Sequence, residues 1–160
     1  MKRLILLSVI AVFAFGCKSK SPTSVKLDQK AERMMNGSWT LTSVTNPASD
    51  FIQVNSFQLA DSKCFEGSKW KFVANNNKGD MSLSNAGSNC PAFSSPISWY
   101  RNKDNQFVLK VLNAGEKAKK VRDGYILDVA NQTETSFELI DMVDMGGGKK
   151  GNVIYRFTKN

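Results

Sequence analysis

Histidine is absent from this 160-residue chain. A cysteine or serine nucleophile is most often activated by a histidine base, so that route to hydrolysis is closed. Zinc sites draw mainly on cysteine and histidine, and three cysteines without a CxxC pair serve that chemistry poorly. The apolar run from Leu4 to Phe15 has twelve residues, Ser8 alone being polar. That falls short of the roughly 20 needed to cross a membrane as a helix. No long-period repeat is present, which sets aside solenoids and propellers. The glycine run Met145-Gly146-Gly147-Gly148-Lys149-Lys150-Gly151 lacks the Ser/Thr after its lysines and a helix to follow. Both are required of a phosphate-binding loop, so it reads as a flexible hairpin.

What is present begins with an export pattern. Lys2 and Arg3 precede the Leu4–Phe15 run, the arrangement of a secretory signal. The segment Ala14-Phe15-Gly16-Cys17 resembles a bacterial lipobox, where cleavage precedes a cysteine that then carries lipid. The expected layout is a lipoprotein signal peptide over 1–16, a lipidated Cys17 with a polar tether over 17–24, and one domain over 25–160. Three acyl chains, which the resemblance implies, would anchor the protein permanently, since stable anchoring takes at least two. No aspartate follows Cys17 and no acidic run follows it. The inner-membrane retention signal of enterobacteria is therefore missing, as is the surface-export signal of Bacteroidetes lipoproteins. The expected location is the outer membrane of the cell envelope, on its periplasmic face. The membrane is the expected partner, through the N-terminal lipid, and the protein is expected to be a monomer.

Charge fits that setting. The formal net charge of +8 falls to +6 once Lys2 and Arg3 leave with the signal, which holds no acidic residue. Such a charge in a cytosolic protein would suggest nucleic acid; on an anchored envelope protein it suits anionic head groups. Lys117, Lys119, Lys120 and Arg122 have no interleaved aromatics and read as a solvated loop. No nucleic-acid partner is expected. With Cys17 assigned to lipid, Cys64 and Cys90 remain. An even pair in an oxidising compartment reads as a disulfide.

Along the chain, Leu27, Ala31, Met34 and Met35 recur at helical intervals within 25–36, and Asn36-Gly37 is a stop signal. A short N-terminal helix follows. Strand patterns occupy 38–45, 69–74, 79–85, the Ile97/Trp99 region, 106–112, 125–129, 136–142 and 152–158. The stretch 51–59 is apolar but irregular and reads as a loop with a strand fragment. Asn-rich and glycine turns at 75–79, 102–105, 123–124, 131–133 and 146–151 separate the strands. Eight strands with short turns and no helical crossover predict an all-β, eight-stranded antiparallel up-and-down barrel, whose closure removes exposed edges.

Two passages carry a family resemblance. Met34-Met35-Asn36-Gly37-Ser38-Trp39-Thr40-Leu41 resembles the opening of lipocalin-like proteins, where a short helix leads to a glycine, a tryptophan and the first strand. The passage Cys64 to Phe72, then Asn75 to Gly79, then Cys90 and Ile97-Ser98-Trp99, is similar to the lipocalin-like lipoproteins of Bacteroidetes. The resemblance spans about 34–159 and implies an eight-stranded barrel able to hold a small apolar molecule. An eight-stranded interior either fills with side chains or holds one small ligand. Inward candidates are Trp39, Leu41, Trp70, Phe72, Met81, Leu83, Trp99, Phe107, Leu109, Leu127, Phe137, Leu139, Tyr155 and Phe157. Of these, Trp70, Phe72, Met81, Leu83, Trp99, Phe107, Leu109, Phe137 and Tyr155 are the ligand-contact candidates. Few small residues share these registers, so core packing weighs more than ligand contact for each large ring. Trp39 is expected to plug the closed end.

Asp141 and Asp144 could do acid–base work or bind a cation, but without a third ligand in sequence they read as solvated loop charges. The methionines read as core filling rather than a copper site. No cofactor, metal or enzymatic activity is expected. The leading expectation is binding or carriage of a small hydrophobic molecule. The alternative is a structural or interaction module contacting an envelope protein or glycan through Tyr100 and the 114–123 loop.

Overall fold

The computed structural model describes residues 22–46, 53–84, 89–112, 115, 117–121 and 124–160, with side chains described from residue 29 onward. The expected signal peptide 1–16, the lipidated Cys17 and residues 18–21 lie outside the described residues, as do Phe51, Arg122 and parts of the 114–123 loop.

Helix α1 (Pro22–Met35) starts three residues before its expected start at Val25. Proline suits a first helical position, where its missing N–H is no loss and its fixed φ is already helical. Residues 22–24 are therefore helix rather than tether. The helix stops as expected. The Asn36 N–H turns back to the Arg33 carbonyl at 3.1 Å, and Gly37 takes φ 128°, open to glycine alone.

Strand β1 (Gly37–Thr45) comes next. The connection after it carries β2 (Asn55–Ser56), β3 (Ala60–Asp61) and a 3-10 turn over Ser62–Phe65. Then follow β4 (Lys69–Val73), β5 (Lys78–Leu83), β6 (Phe93–Arg101), β7 (Phe107–Val111), β8 (Tyr125–Ala130), β9 (Ser136–Asp144) and β10 (Lys150–Lys159). All eight expected wall strands are present. They close in the order β1-β10-β9-β8-β7-β6-β5-β4, every pair antiparallel.

Side chains alternate along each wall strand because successive Cβ atoms point to opposite faces of a sheet. In β4, Trp70 and Phe72 are buried while Lys69 and Lys71 are exposed. In β10, Val153, Tyr155 and Phe157 are buried, with Asn152, Arg156 and Thr158 exposed. Gly79 occupies an inward position of β5 where a Cβ would lie 2.0 Å from the Lys71 carbonyl oxygen, so the wall needs glycine there.

Up-and-down topology sorts the connections by end. One end has the tight turns at 74–77, 102–106 and 131–135, with helix α1. Asn77, Asn105 and Asn131 adopt φ of 55°, 62° and 50° in these turns, which asparagine tolerates. The other end has the connection 46–68, the segments between β5 and β6 and between β7 and β8, and the 145–149 hairpin. The Cys64–Cys90 disulfide, with Cα atoms 5.3 Å apart, ties two of these connections together. It brackets the β4–β5 hairpin, as the paired cysteines implied.

Candidate ligand site at the barrel mouth

The end carrying α1 is sealed. Trp39 is fully buried, donates from Nε1 to the Met35 carbonyl at 2.8 Å, and meets Phe137 edge-on at 4.7 Å. Lys159 Nζ stands 5.4 Å from the Trp39 ring centroid. Beside it Arg101 points inward from β6, its Nη2 donating to both the backbone oxygen and Oδ1 of Asn105 at 2.6 Å. Gln132 bridges to the helix, donating to the Ala31 carbonyl at 2.8 Å. Trp39 plugs this end as expected. Arg101 was not singled out from sequence, although its place two residues beyond Trp99 keeps it on the inward register.

The middle of the barrel is packed with rings. Phe72 stands within 5.4–6.2 Å of Trp99, Phe107, Phe137 and Phe157, which come from four different strands. Trp99 and Phe107 stack at 5.6 Å, and Phe137 and Phe157 at 4.6 Å. Each buried aromatic removes a large apolar area from water, and offset or edge contacts add to that. Met81, Leu83 and Leu109 fill the wall around this column. The nine ligand-contact candidates thus meet in one core, but Phe72, Trp99, Phe107 and Phe137 face one another rather than an open space. Trp70 and Tyr155 reach higher, toward the open end.

At that end the 46–68 connection dips into the barrel. Phe57, in the turn between β2 and β3, is 5% exposed. Its ring lies 5.1 Å from Tyr125, 5.2 Å from Phe65, 5.3 Å from Tyr155 and 6.4 Å from Trp70. Two hydrogen bonds tie Ser56 and Phe57 to the wall, and one closes their turn. Ser56 Oγ and Tyr155 Oη are 2.5 Å apart, Tyr125 Oη donates to the Phe57 carbonyl at 2.6 Å, and the Leu59 N–H meets the Ser56 carbonyl at 3.0 Å. Burial, chiefly, pushes the Tyr155 hydroxyl well above its ordinary pKa, so it stays a neutral donor and acceptor. The mouth is a ring-lined socket with hydroxyl groups at its rim.

Residues 35–139 match the lipocalin-like domain family. The chain belongs to that family. Apocrustacyanin C1 is similar in fold, with a TM-score of 0.51 at 10% identity over 90% of this chain and 71% of that one. Lobster apocrustacyanin A1 gives 0.48 at 8% identity, over 86% and 67%. The bovine odorant-binding protein, solved as a complex with its natural ligand, gives 0.45 at 12% identity, over 79% and 72%. No curated protein matches the sequence.

In this lipocalin-like domain one carboxylate departs from its expected place. Asp141 lies within β9, not in a loop, and its pairing with the fully buried Val153 turns it inward near the mouth. It is half-buried, and burial raises its carboxyl pKa above 3.8. Asp144 ends the strand exposed, as expected. Phe57 was missed. The 51–59 stretch showed only apolar residues without alternation, the trace left by a loop that turns inward. Among the described residues, cavities also open on the outside of the domain. One of about 680 Å³ lies between α1 and the β4–β5 turn, and one of about 520 Å³ runs over β4, β5 and β6 toward Lys117 and Ala118.

Proposed function

We propose that this lipocalin-like domain binds a small hydrophobic molecule at its open end, as a lipoprotein anchored through Cys17 to the outer membrane of the cell envelope. The observation that carries the binding reading is the contrast between the two ends. The α1 end is sealed by Trp39 and Arg101, whereas the opposite end is covered by a connection whose own strands are two residues long. A covering with so little structure of its own can open without breaking the barrel ladder. The packed middle keeps a ligand near the mouth, against Trp70 and Tyr155.

The test uses the full chain carrying Cys17→Ala, titrated with N-phenyl-1-naphthylamine. Saturable one-to-one fluorescence enhancement supports the reading. No enhancement up to the solubility limit of the probe refutes it. The same variant, expressed in cells, should move from the membrane to the soluble fraction; if it stays membrane-bound, the anchoring assignment falls.

A second reading, an interaction module, has one observation in its favour. Tyr100 pairs with Val108 and Val108 with Ile126 across β6, β7 and β8 on the outer wall. Tyr100 is 42% exposed and Ile126 57%, and Met142 on β9 is 58% exposed. Val108 between Tyr100 and Ile126 is itself covered, at 5% exposed, so the exposed apolar side chains flank it; apolar side chains grouped on one outer wall can mark a contact surface. Crosslinking in intact cells that is lost in Ile126→Lys would favour this reading; crosslinking unchanged by it would count against it.

A further inference from the structure

Five non-glycine residues among the described ones have φ in the left-handed region. Three are the turn asparagines. The other two are adjacent, Phe57 and Gln58, both at φ 54°. A bulky residue is a rare occupant of that region, and its cost persists only where the surroundings outweigh it. Here the pair forms the turn between β2 and β3, closed by the Leu59 N–H on the Ser56 carbonyl at 3.0 Å, and that turn aims the Phe57 ring at the barrel. Trp70 on β4 and Tyr125 on β8 both touch that ring. These strands are four apart in a closed ring of eight, so the two residues stand on opposite walls and the Phe57 ring lies on the barrel axis. A loop side chain fills the place where a ligand entering through the mouth would come to rest.

We propose that Phe57 is a built-in occupant of the ligand socket, and that the socket takes a small flat aromatic molecule of one or two fused rings by exchange with it. The proposal rests on the binding function read above and specifies its ligand. An incoming ring meets the same partners, Phe65, Trp70, Tyr125 and Tyr155, so the apolar burial lost by Phe57 is recovered. Burial of the incoming ring favours exchange, and loss of the loop's hydrogen bonds to Tyr125 and Tyr155 opposes it. When Ser56 withdraws with the loop, the Tyr155 hydroxyl gives up that partner. A ring bearing one N–H or hydroxyl replaces it, whereas a purely hydrocarbon ring leaves a buried hydroxyl short of a bond. Indole and phenol fit this description; long-chain lipids do not.

The experiment is calorimetric titration of the full chain carrying Cys17→Ala with indole, alone and with Phe57→Ala or Ser56→Ala. Phe57→Ala empties the socket and is expected to tighten binding at least tenfold. Ser56→Ala leaves every wall residue intact and removes one bond seating the loop. It is expected to tighten binding about fivefold, the worth of one hydrogen bond of about 1 kcal/mol. This milder variant keeps the test open if Phe57→Ala fails to fold. An emptied socket could bind indole merely because it is empty, so the decisive reading is on the chain with Ser56 and Phe57 intact. There, saturation with indole is expected to speed amide hydrogen exchange at residues 54–60, because the loop is expelled. Slower or unchanged exchange overturns the proposal, as does equal affinity in all three chains. Binding of N-phenyl-1-naphthylamine without any effect of Phe57→Ala would overturn the exchange while leaving the binding function standing. Binding of neither probe would remove both.

Discussion

The indole Nε1 of Trp39 donates to the carbonyl oxygen of Met35 at 2.8 Å. That bond joins the last residue of helix α1 to the first strand and lies wholly inside the protein. Trp39→Ala removes both the bond and the ring against Phe137, and should cost about 3–5 kcal/mol, as large-to-small core changes do. Trp39→Phe keeps most of the packing, leaves the Met35 carbonyl without its donor, and should cost about 1–2 kcal/mol. Urea unfolding of the two variants, compared at equal slope, checks the order.

Glu138 and Arg156 form a pair on the outer wall between β9 and β10. Arg156 donates from Nε and Nη2 to Glu138 Oε1 at 2.9 and 2.7 Å, and Asn131 donates to Oε2 at 2.7 Å. The Arg156 hydrogen bond, chiefly, holds the Glu138 carboxyl below its ordinary 4.5, against the opposing effect of burial. A depressed carboxyl contributes stability above the unfolded pKa and loses it as pH falls through the folded one. Glu138→Gln should therefore destabilise at pH 7 by about 1 kcal/mol, a modest figure because Arg156 is half exposed. The gap should narrow below pH 4.5 and close below the depressed value. Thermal unfolding from pH 7 to pH 2 reads it.

Asp141 has the opposite sign. Burial raises its carboxyl above 3.8, so the folded state holds the proton more tightly than the unfolded chain. The wild type then loses stability as pH rises through the raised value. Asp141→Asn removes that loss and should be more stable at pH 7 by about 0.5 kcal/mol or less, since water screens a half-buried charge. The advantage should vanish below pH 3.8. The same pH series, run beside Glu138→Gln, should show the two differences with opposite sign.

The Cys64–Cys90 bridge spans a sequence separation of 26. On the chain-entropy account, opening it costs about 3.5 kcal/mol. The double substitution Cys64→Ser, Cys90→Ser should lower stability by about that amount. Amide exchange should rise first in the 3-10 turn 62–65 and around residue 90, with the Trp39 end changed least. Uniform acceleration across the whole barrel would show instead that the bridge supports the fold globally.

Much of this was legible in the sequence. Period-two alternation in Lys69-Trp70-Lys71-Phe72 can satisfy only a wall with one face buried, and the structure buries Trp70 and Phe72. Asparagine and glycine at 75–79 gave a hairpin turn, and Asn77 takes the left-handed conformation there. Pro22 stands among serines and a threonine in a stretch that reads as a tether, although a first helical turn accepts proline equally well. The inward position of Asp141 also follows the strand period, since it falls inside the expected strand 136–142 on the register of Phe137 and Leu139.

By itself the sequence determined the eight walls, the faces they turn inward and the paired cysteines, because alternation, turn chemistry and cysteine pairing act over short distances or through simple counting; the Trp39 plug was implied by the lipocalin-like resemblance. Only the tertiary structure decided what fills the mouth. Phe57 belongs to no periodic pattern, and its seat exists only because barrel closure brings Trp70 and Tyr125 onto opposite walls at 6.4 and 5.1 Å from one ring. A contact among residues so far apart in the chain leaves no local signature, since the geometry that favours it arises only when the last strand pairs with the first.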